Sequence, residues 1–269
     1  MVRSGSGDIV HEGRKLAAGP APAGDGVSMG ESGPVAGDLP GIWGERLKEA
    51  ELLRDLAPES RSALLAAGTR RRSARRTLLF SAGDAAETLF LLVSGRVKLV
   101  RGNADGQEVI VRFFAPGELL GGVAALPDRR YPATAEVVDD AELATWSRAA
   151  LVPLMSRDPH LATAILGVVA TRMGDVQGQL QELATERVAQ RVARALLRLA
   201  RQLGRKAEAG ILIDLPLSRQ NLAELTGTTL FTVSRLLSAW EAEGLLEVGR
   251  ERVVIRSPHG LVRIAEDLP

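Results

Sequence analysis

Arg235 stands one helical turn after Phe231, with Ser234 beside it, inside the stretch Leu217 to Gly244. A guanidinium can offer two donors to the O6/N7 pair of guanine, and an apolar group can pack on a thymine methyl. Side chains of these types on the early part of a helix suit base reading in a DNA major groove. An exposed phenylalanine is otherwise unfavourable, so its position supports a surface that meets a partner. The competing reading is an ordinary helical hairpin with a stray surface Phe.

The elements that would position these residues are legible around them. Ser218 is placed to cap a first short helix, with Leu222 and Leu225 on its inner face. Gly227 supplies the φ > 0 corner that a tight helix–helix turn needs. Thr228 or Thr229 caps a second helix, in which Val233, Leu236, Leu237 and Trp240 form one buried stripe. Phe231, Arg235, Ser238 and Ala242 then point the opposite way, at about 100° per residue. After Gly244, Leu245 to Val248 and Arg252 to Arg256 predict a hairpin around Gly249-Arg250-Glu251, a wing beside the two helices. Arg250 and Arg252 at its tip, with Ser218, Arg219, Thr228 and Thr229, suit phosphate contacts, which set register without reading sequence. Ser257 and Pro258 open a last short helix.

Composition bounds the alternatives. The chain has 269 residues, enough for two domains, and a net charge of +1, so nucleic-acid binding must rest on local charge. It has no cysteine, which excludes disulfides, zinc fingers, a cysteine-ligated iron–sulfur cluster and thiol redox chemistry. There is no apolar run of membrane-spanning length and no signal-peptide core, so the expected compartment is the cytoplasm. A Walker lysine loop, a Gly-x-Ser-x-Gly elbow and a metal-ligand His cluster are all lacking, and the chain is not read as an enzyme.

Residues 1–41, rich in Gly, Pro, Ala and Ser, read as a disordered tail, with His11 as a solvated residue in it. Residues 42–150 read as one domain: a helical start, then a basic run from Arg70 to Arg76, then short β runs. The basic run is a nucleic-acid patch or, the preferred reading, a solvated strand edge or a surface facing the other domain. The β runs are Leu78 to Phe80, Thr88 to Val93, Val97 to Arg101, Val109 to Phe114 and Ala133 to Val138, divided by Gly and Asp clusters. Asp105-Gly106 is a hairpin signal. Residues 151–186 carry a long helix that starts near Pro159. On it Ile165, Val169, Met173, Val176, Leu180 and Leu183 recur in steps of four and three, a coiled-coil seam for a two-fold dimer or a face packed on its own domain. Residues 187–269 hold an amphipathic helix to Gly204, a polar loop from Gly204 to Gly210, and the helix-turn-helix with its wing.

With these elements in order, residues 45 to 267 resemble the CRP/FNR family of bacterial transcription regulators. Leu78 to Asp84 (LLFSAGD), Leu89 to Leu99 (LFLLVSGRVKL) and Phe114 to Gly122 (FAPGELLGG) are similar to the family's sensor motifs, and Leu217 to Gly244 to its helix-turn-helix. The resemblance implies an α+β fold: an N-terminal β jelly-roll sensor, a long dimerisation helix and a C-terminal winged helix-turn-helix. It implies a homodimer on palindromic promoter DNA, with half-sites about 34 Å apart, and an effector that favours one of two states. Family activators touch RNA polymerase through loops of the DNA-binding domain, and Gly204 to Gly210 is the matching segment.

The effector pocket implied by the resemblance involves Glu118, Gly121, Gly122, Val123, Arg130, Tyr131, Ala133 and Thr134. Members that bind cyclic AMP hold its ribose with a Glu and its phosphate with an Arg. Here Gly122 stands in the Glu position and Tyr131 in the Arg position. Neutral residues at both lose the charge-assisted bonds that hold the nucleotide. The expected effector is therefore not cyclic AMP, although Arg130, one residue off, would restore part of the charge if the loop shifted. Some members bind haem; His160 alone among the histidines lies in the sensor and dimer region, and it reads as a helix-start residue facing water. The cofactor stays unassigned. Phe231 replaces a Glu common in the family, whereas Arg235 matches its guanine-reading Arg, so the target sequence is expected to differ. The alternative to a DNA-binding regulator is a ligand sensor that acts mainly through a protein partner.

Overall fold

The computed structural model describes Leu47, residues 50–102 and residues 108–268. The tail of residues 1–41, His11 and the Asp105-Gly106 hairpin lie outside the described residues.

A short helix α1 (Pro58–Ala66), opened by Pro58, leads into an antiparallel sheet. Its strands are β1 (Thr69–Ser73), β2 (Leu78–Phe80), β3 (Thr88–Gly102), β4 (Glu108–Phe114), β5 (Leu119–Leu120) and β6 (Thr134–Ser147), and the order is β1-β6-β3-β4, with β2 on β6 and β5 on β3. Side chains alternate between the two faces of a strand, and here both faces are covered, which explains the unbroken apolar run of β3. Leu89, Leu91 and Val93 join Ala144 and Trp146 in a core shared with Leu47, Leu53, Leu64 and Leu161. Phe90, Leu92 and Val97 join Ala135, Val137 and Leu143 inside the roll. Trp146 is fully buried, and its indole N–H donates to the Leu64 carbonyl at 2.7 Å.

Two strand expectations are corrected. Ser94-Gly95 does not separate two strands; β3 runs through it, and its register on β6 shifts between Leu92 and Val97. Gly95 has φ 82°, and a Cβ there would lie 2.5 Å from the Asp140 carbonyl, so the glycine bends the strand rather than ending it. β6 likewise continues to Ser147, well beyond Val138. Asp139 and Asp140 interrupt the apolar pattern, but Arg96 holds Asp139 and the Arg75 amide donates to Asp140 at 2.9 Å.

Arg70 to Arg72 of the basic run lie in the edge strand β1, and Arg75 and Arg76 in the turn that follows. Arg70 and Arg72 both bond the Glu142 carboxylate on β6, Arg72 at 3.0 Å, and Arg71 lies 5.9 Å from the Phe90 ring centre. The hydrogen bond from Arg70, aided by that from Arg72, holds the Glu142 carboxyl below the ordinary glutamate range. A carboxylate whose folded pKa is depressed contributes stability above its unfolded pKa and loses it as pH falls through the folded value. Glu142→Gln is therefore expected to lower stability at neutral pH by about 1 kcal/mol or less, as for other partly solvated pairs. The gap from the parent should close as pH drops below the carboxylate range, read by urea unfolding at a series of pH values.

Helices follow. α2 (Arg148–Arg157) is capped by Ser147 and α3 (Pro159–Thr185) by Asp158, whose carboxylate accepts from the His160 amide at 3.0 Å. His160 itself is exposed. After α3 come α4 (Val188–Leu203), β7 (Gly204–Ala207), β8 (Gly210–Ile213), α5 (Arg219–Thr226), α6 (Leu230–Ala242), β9 (Leu246–Gly249), β10 (Arg252–Ile255) and α7 (Pro258–Ala265). The expected polar loop at Gly204 to Gly210 is instead most of a hairpin. Ile211, Leu212 and Ile213 need a ladder on both sides; they take β10 on one and β7 on the other, in a sheet ordered β7-β8-β10-β9. Polar residues on β7 are ordinary for an edge strand, and they concealed it in the sequence.

The two halves share packing. Val100, Ile110, Phe113 and Ala115 of the roll belong to the same buried cluster as Val192, Leu196 and Leu199 of α4 and Leu222 of α5.

Candidate DNA-binding face and sensor cavity

Ser218 caps α5: its Oγ accepts from the Asn221 amide at 3.0 Å, while Asn221 Oδ1 accepts from the Ser218 amide at 3.1 Å. Gly227 turns the corner at φ 60°, and the Thr229 hydroxyl accepts from the Thr232 amide at 3.2 Å to start α6. Val233, Leu237 and Trp240 are buried, which leaves the opposite face of α6 outside. Phe231 is 75% exposed, the highest figure among the large apolar residues described. Arg235 is exposed on the same face and, among the described residues, has no ion pair; Ser234 is half-buried beside it. The face thus carries an apolar ring, a free guanidinium and a hydroxyl.

The wing stands next to this face. Arg252 pairs with Gly249 across a two-residue turn, and Glu251 adopts φ 52° there. Arg250 and Arg219 are exposed cations that border one groove with Ser218 and Leu230. Arg252 is not free: it bonds Glu247 at 2.8 Å, and Arg256 takes the other oxygen at 3.0 Å. Thr228 is half-buried and Thr229 is committed to its cap. Of the six residues assigned to phosphate contact, Arg219 and Arg250 therefore present unpaired charge.

The long helix has a different apolar face at each end. Ile165 is 1% exposed, in the sensor's own core, so it does not belong to an open seam. Leu166, which the sequence reading passed over, is 49% exposed. With it, the outer stripe reads Leu166, Val169, Met173, Val176, Leu180 and Leu183, a regular alternation of three and four. Its exact seven-residue distance from Met173 was the available signal.

Between the roll and α3 lies a cavity of about 180 Å³. Gly121, Gly122, Val123 and Tyr131 line it, as expected; Glu118, Arg130, Ala133 and Thr134 do not. Arg130 turns outward and donates to the Gly83 carbonyl at 2.6 Å, and the Thr134 hydroxyl accepts from the Ala82 amide. Gly122 touches α3 so closely that a Cβ would stand 2.9 Å from Val169. A side chain in that position needs Val169 or the helix to shift. Tyr131 stacks on Phe80, with ring centres 3.9 Å apart, and its hydroxyl donates to the Thr88 carbonyl at 2.7 Å. Burial pushes the phenol above its ordinary range, so it stays neutral.

Glu118 sits at a junction that spacing alone could not reveal. One oxygen accepts from Arg112 at 2.6 Å and Arg172 of α3 at 3.2 Å; the other accepts from the Ala115 amide at 2.7 Å and from Gln202 of α4. Gln202 also donates to the Phe113 carbonyl at 2.9 Å. One carboxylate thus joins the roll, the long helix and the DNA-binding half. Burial pushes the Arg112 guanidinium down from its usual value, and Glu118 opposes this.

A β roll with a ligand-sized cavity, joined by a long helix to a winged helix-turn-helix, defines a sensor coupled to a DNA-binding module. The comparisons agree with both halves. The family model of the cyclic nucleotide-binding domain matches residues 70–158, and that of the Crp-like helix-turn-helix domain matches residues 190–264. The cyclic AMP receptor protein of Thermus thermophilus is 33% identical over 219 residues, 81% of this chain and 98% of that protein. FixK2 from Bradyrhizobium japonicum has a similar structure, with a TM-score of 0.65 at 25% identity over 73% of this chain and 96% of its own. The c-di-GMP-responsive global regulator CLP of Xanthomonas campestris gives a TM-score of 0.64 at 29% identity, over 74% and 99% of the two chains. The chain belongs to the CRP/FNR family of transcription regulators. It carries that family's DNA-binding helix-turn-helix and its cyclic-nucleotide-binding type of sensor domain, and the family consists of regulators rather than enzymes.

Proposed function

We propose that two copies pair along the Leu166 to Leu183 stripe of α3 and place their two α6 helices in successive major grooves of a palindromic promoter. Phe231, Ser234 and Arg235 read bases; Arg219 and Arg250 hold phosphates, with Ser218, Thr228, Thr229 and Arg252 at the same surface. A ligand other than cyclic AMP, taken up between the roll and α3, controls binding, and the bound protein meets RNA polymerase in the cytoplasm. In this division residues 42–150 sense, 151–186 pair and 187–269 bind DNA. No helix among the described residues is long and apolar enough to cross a membrane.

The observation that carries this reading is the face of α6. An exposed aromatic ring and an unpaired arginine lie one turn apart on a helix whose other side is buried, beside a wing with a free arginine. Such a face has the donors and the apolar contact for base edges. Arg235→Ala tests it against a panel of duplexes, each altered at one base pair. The expected loss is about 1–3 kcal/mol, with discrimination relaxed at one position per half-site. An equal loss on all sequences, with a shallower salt dependence, would make Arg235 a phosphate contact instead.

A further inference from the structure

We infer that the cavity between the roll and α3 takes a small, neutral, predominantly apolar molecule; this rests on the reading of that cavity as the sensor site. Its walls come from Phe80, Leu99, Val111, Phe114, Val123 and Val169. The charged side chains at its rim are spent on one another. Arg112 bonds Glu118 at 2.6 Å and approaches Asp175 at 3.4 Å. Arg172 bonds Glu51, Glu118 at 3.2 Å and Asp175 at 3.6 Å. Glu51 is itself held by the Leu119 amide at 2.7 Å. An anionic ligand would have to displace one of these carboxylates, and a cationic one would have to draw Asp175, the carboxylate that lines the cavity, away from the two guanidinium groups.

The positions that hold a cyclic nucleotide elsewhere in the family are filled. Gly122 lies against the Val169 side chain, and the Tyr131 hydroxyl is engaged with the Thr88 backbone at both its donor and its acceptor. Size points the same way. A dry apolar cavity of about 150 Å³ accepts a benzene-sized guest, and the cavity here is of that order, about 180 Å³. The occupant also touches the regulatory element. Val169 and Val176 line the cavity and belong to the apolar stripe of α3. Filling the cavity therefore presses on the helix face proposed to pair two copies.

Calorimetric titration of the full chain with 1-octanol, with octanoate and with cyclic AMP tests this. Octanol should bind at one site per chain, octanoate at least about tenfold more weakly because its carboxylate must be desolvated without a free cation, and cyclic AMP not at all. Val111→Trp and Val123→Trp each fill the space; in whichever variant keeps the parent circular dichroism, octanol binding should fall by at least about tenfold. Octanoate or cyclic AMP binding more tightly than octanol would overturn the inference, as would octanol binding that survives in a folded Trp variant. Promoter-DNA affinity is measured separately with and without octanol. Octanol binding that leaves it unchanged would sink the sensor reading while the ligand class stands.

Discussion

Met173→Glu combined with Leu180→Glu is expected to turn the proposed α3-paired dimer into a folded monomer. The two side chains are 65% and 60% exposed, so each domain loses little of its own packing. On a paired α3 they lie one heptad apart, where the second copy would bury them, and four carboxylates would then face one another without solvent. Sedimentation equilibrium should report a monomer. Affinity for a palindromic site should fall by roughly 10²–10⁴-fold, the range that linkage of two binding events supplies. Affinity for a single half-site, and the urea midpoint extrapolated to low protein concentration, should stay near the parent values. A double variant that remains dimeric would place the pairing surface elsewhere.

Glu118→Ala should have the largest effect on stability among substitutions of charged residues. Its carboxylate is bonded by Arg112, Arg172, Gln202 and the Ala115 amide, and its side chain is only 16% exposed. Removing Glu118 from this mostly buried network leaves the Ala115 amide and Gln202 short of an acceptor and takes from Arg112 its nearest carboxylate, with only Asp175 at 3.4 Å remaining, at a cost of about 3 kcal/mol. Gln202→Ala removes only the bond that reaches across from α4, and about 1 kcal/mol is expected. The two variants separate stability from coupling. Both should speed amide exchange along α4 (Val188–Leu203), since each unties that helix from the roll, but only Glu118→Ala should shift the urea midpoint strongly. Equal exchange in parent and Gln202→Ala would mean that the shared apolar packing, not the glutamine, joins the halves.

Sequence reasoning reached the DNA-binding face because its signals are local. Ser218, Gly227 and Thr229 specify caps and a corner within a few residues of themselves, and Val233, Leu237 and Trp240 declare a buried side by period alone. The exposed face of α6 then follows by subtraction. Local signals misled where a residue type has two uses. Gly95 reads as a break but serves as a bulge in a longer strand, and the polar β7 reads as a loop because an edge strand need bury little. Ile165 and Leu166 are adjacent apolar residues on one helix; which of them faces the sheet depends on how the helix lies on it.

The capped helix pair with its wing, the exposed face that carries Phe231 and Arg235, and the neutral residues Gly122 and Tyr131 are all legible in the sequence alone. Each depends on the identity of a residue or on spacing within one element. Tertiary structure decided the rest. It moved Glu118 from the expected pocket to the junction of three elements, set Gly122 against Val169, paired the rim charges and joined β4 to the DNA-binding half in one core. Those outcomes depend on contacts between segments far apart in the chain, such as Glu118 with Gln202. Neither residue type nor period carries information about such meetings; only the packing of one element on another fixes them.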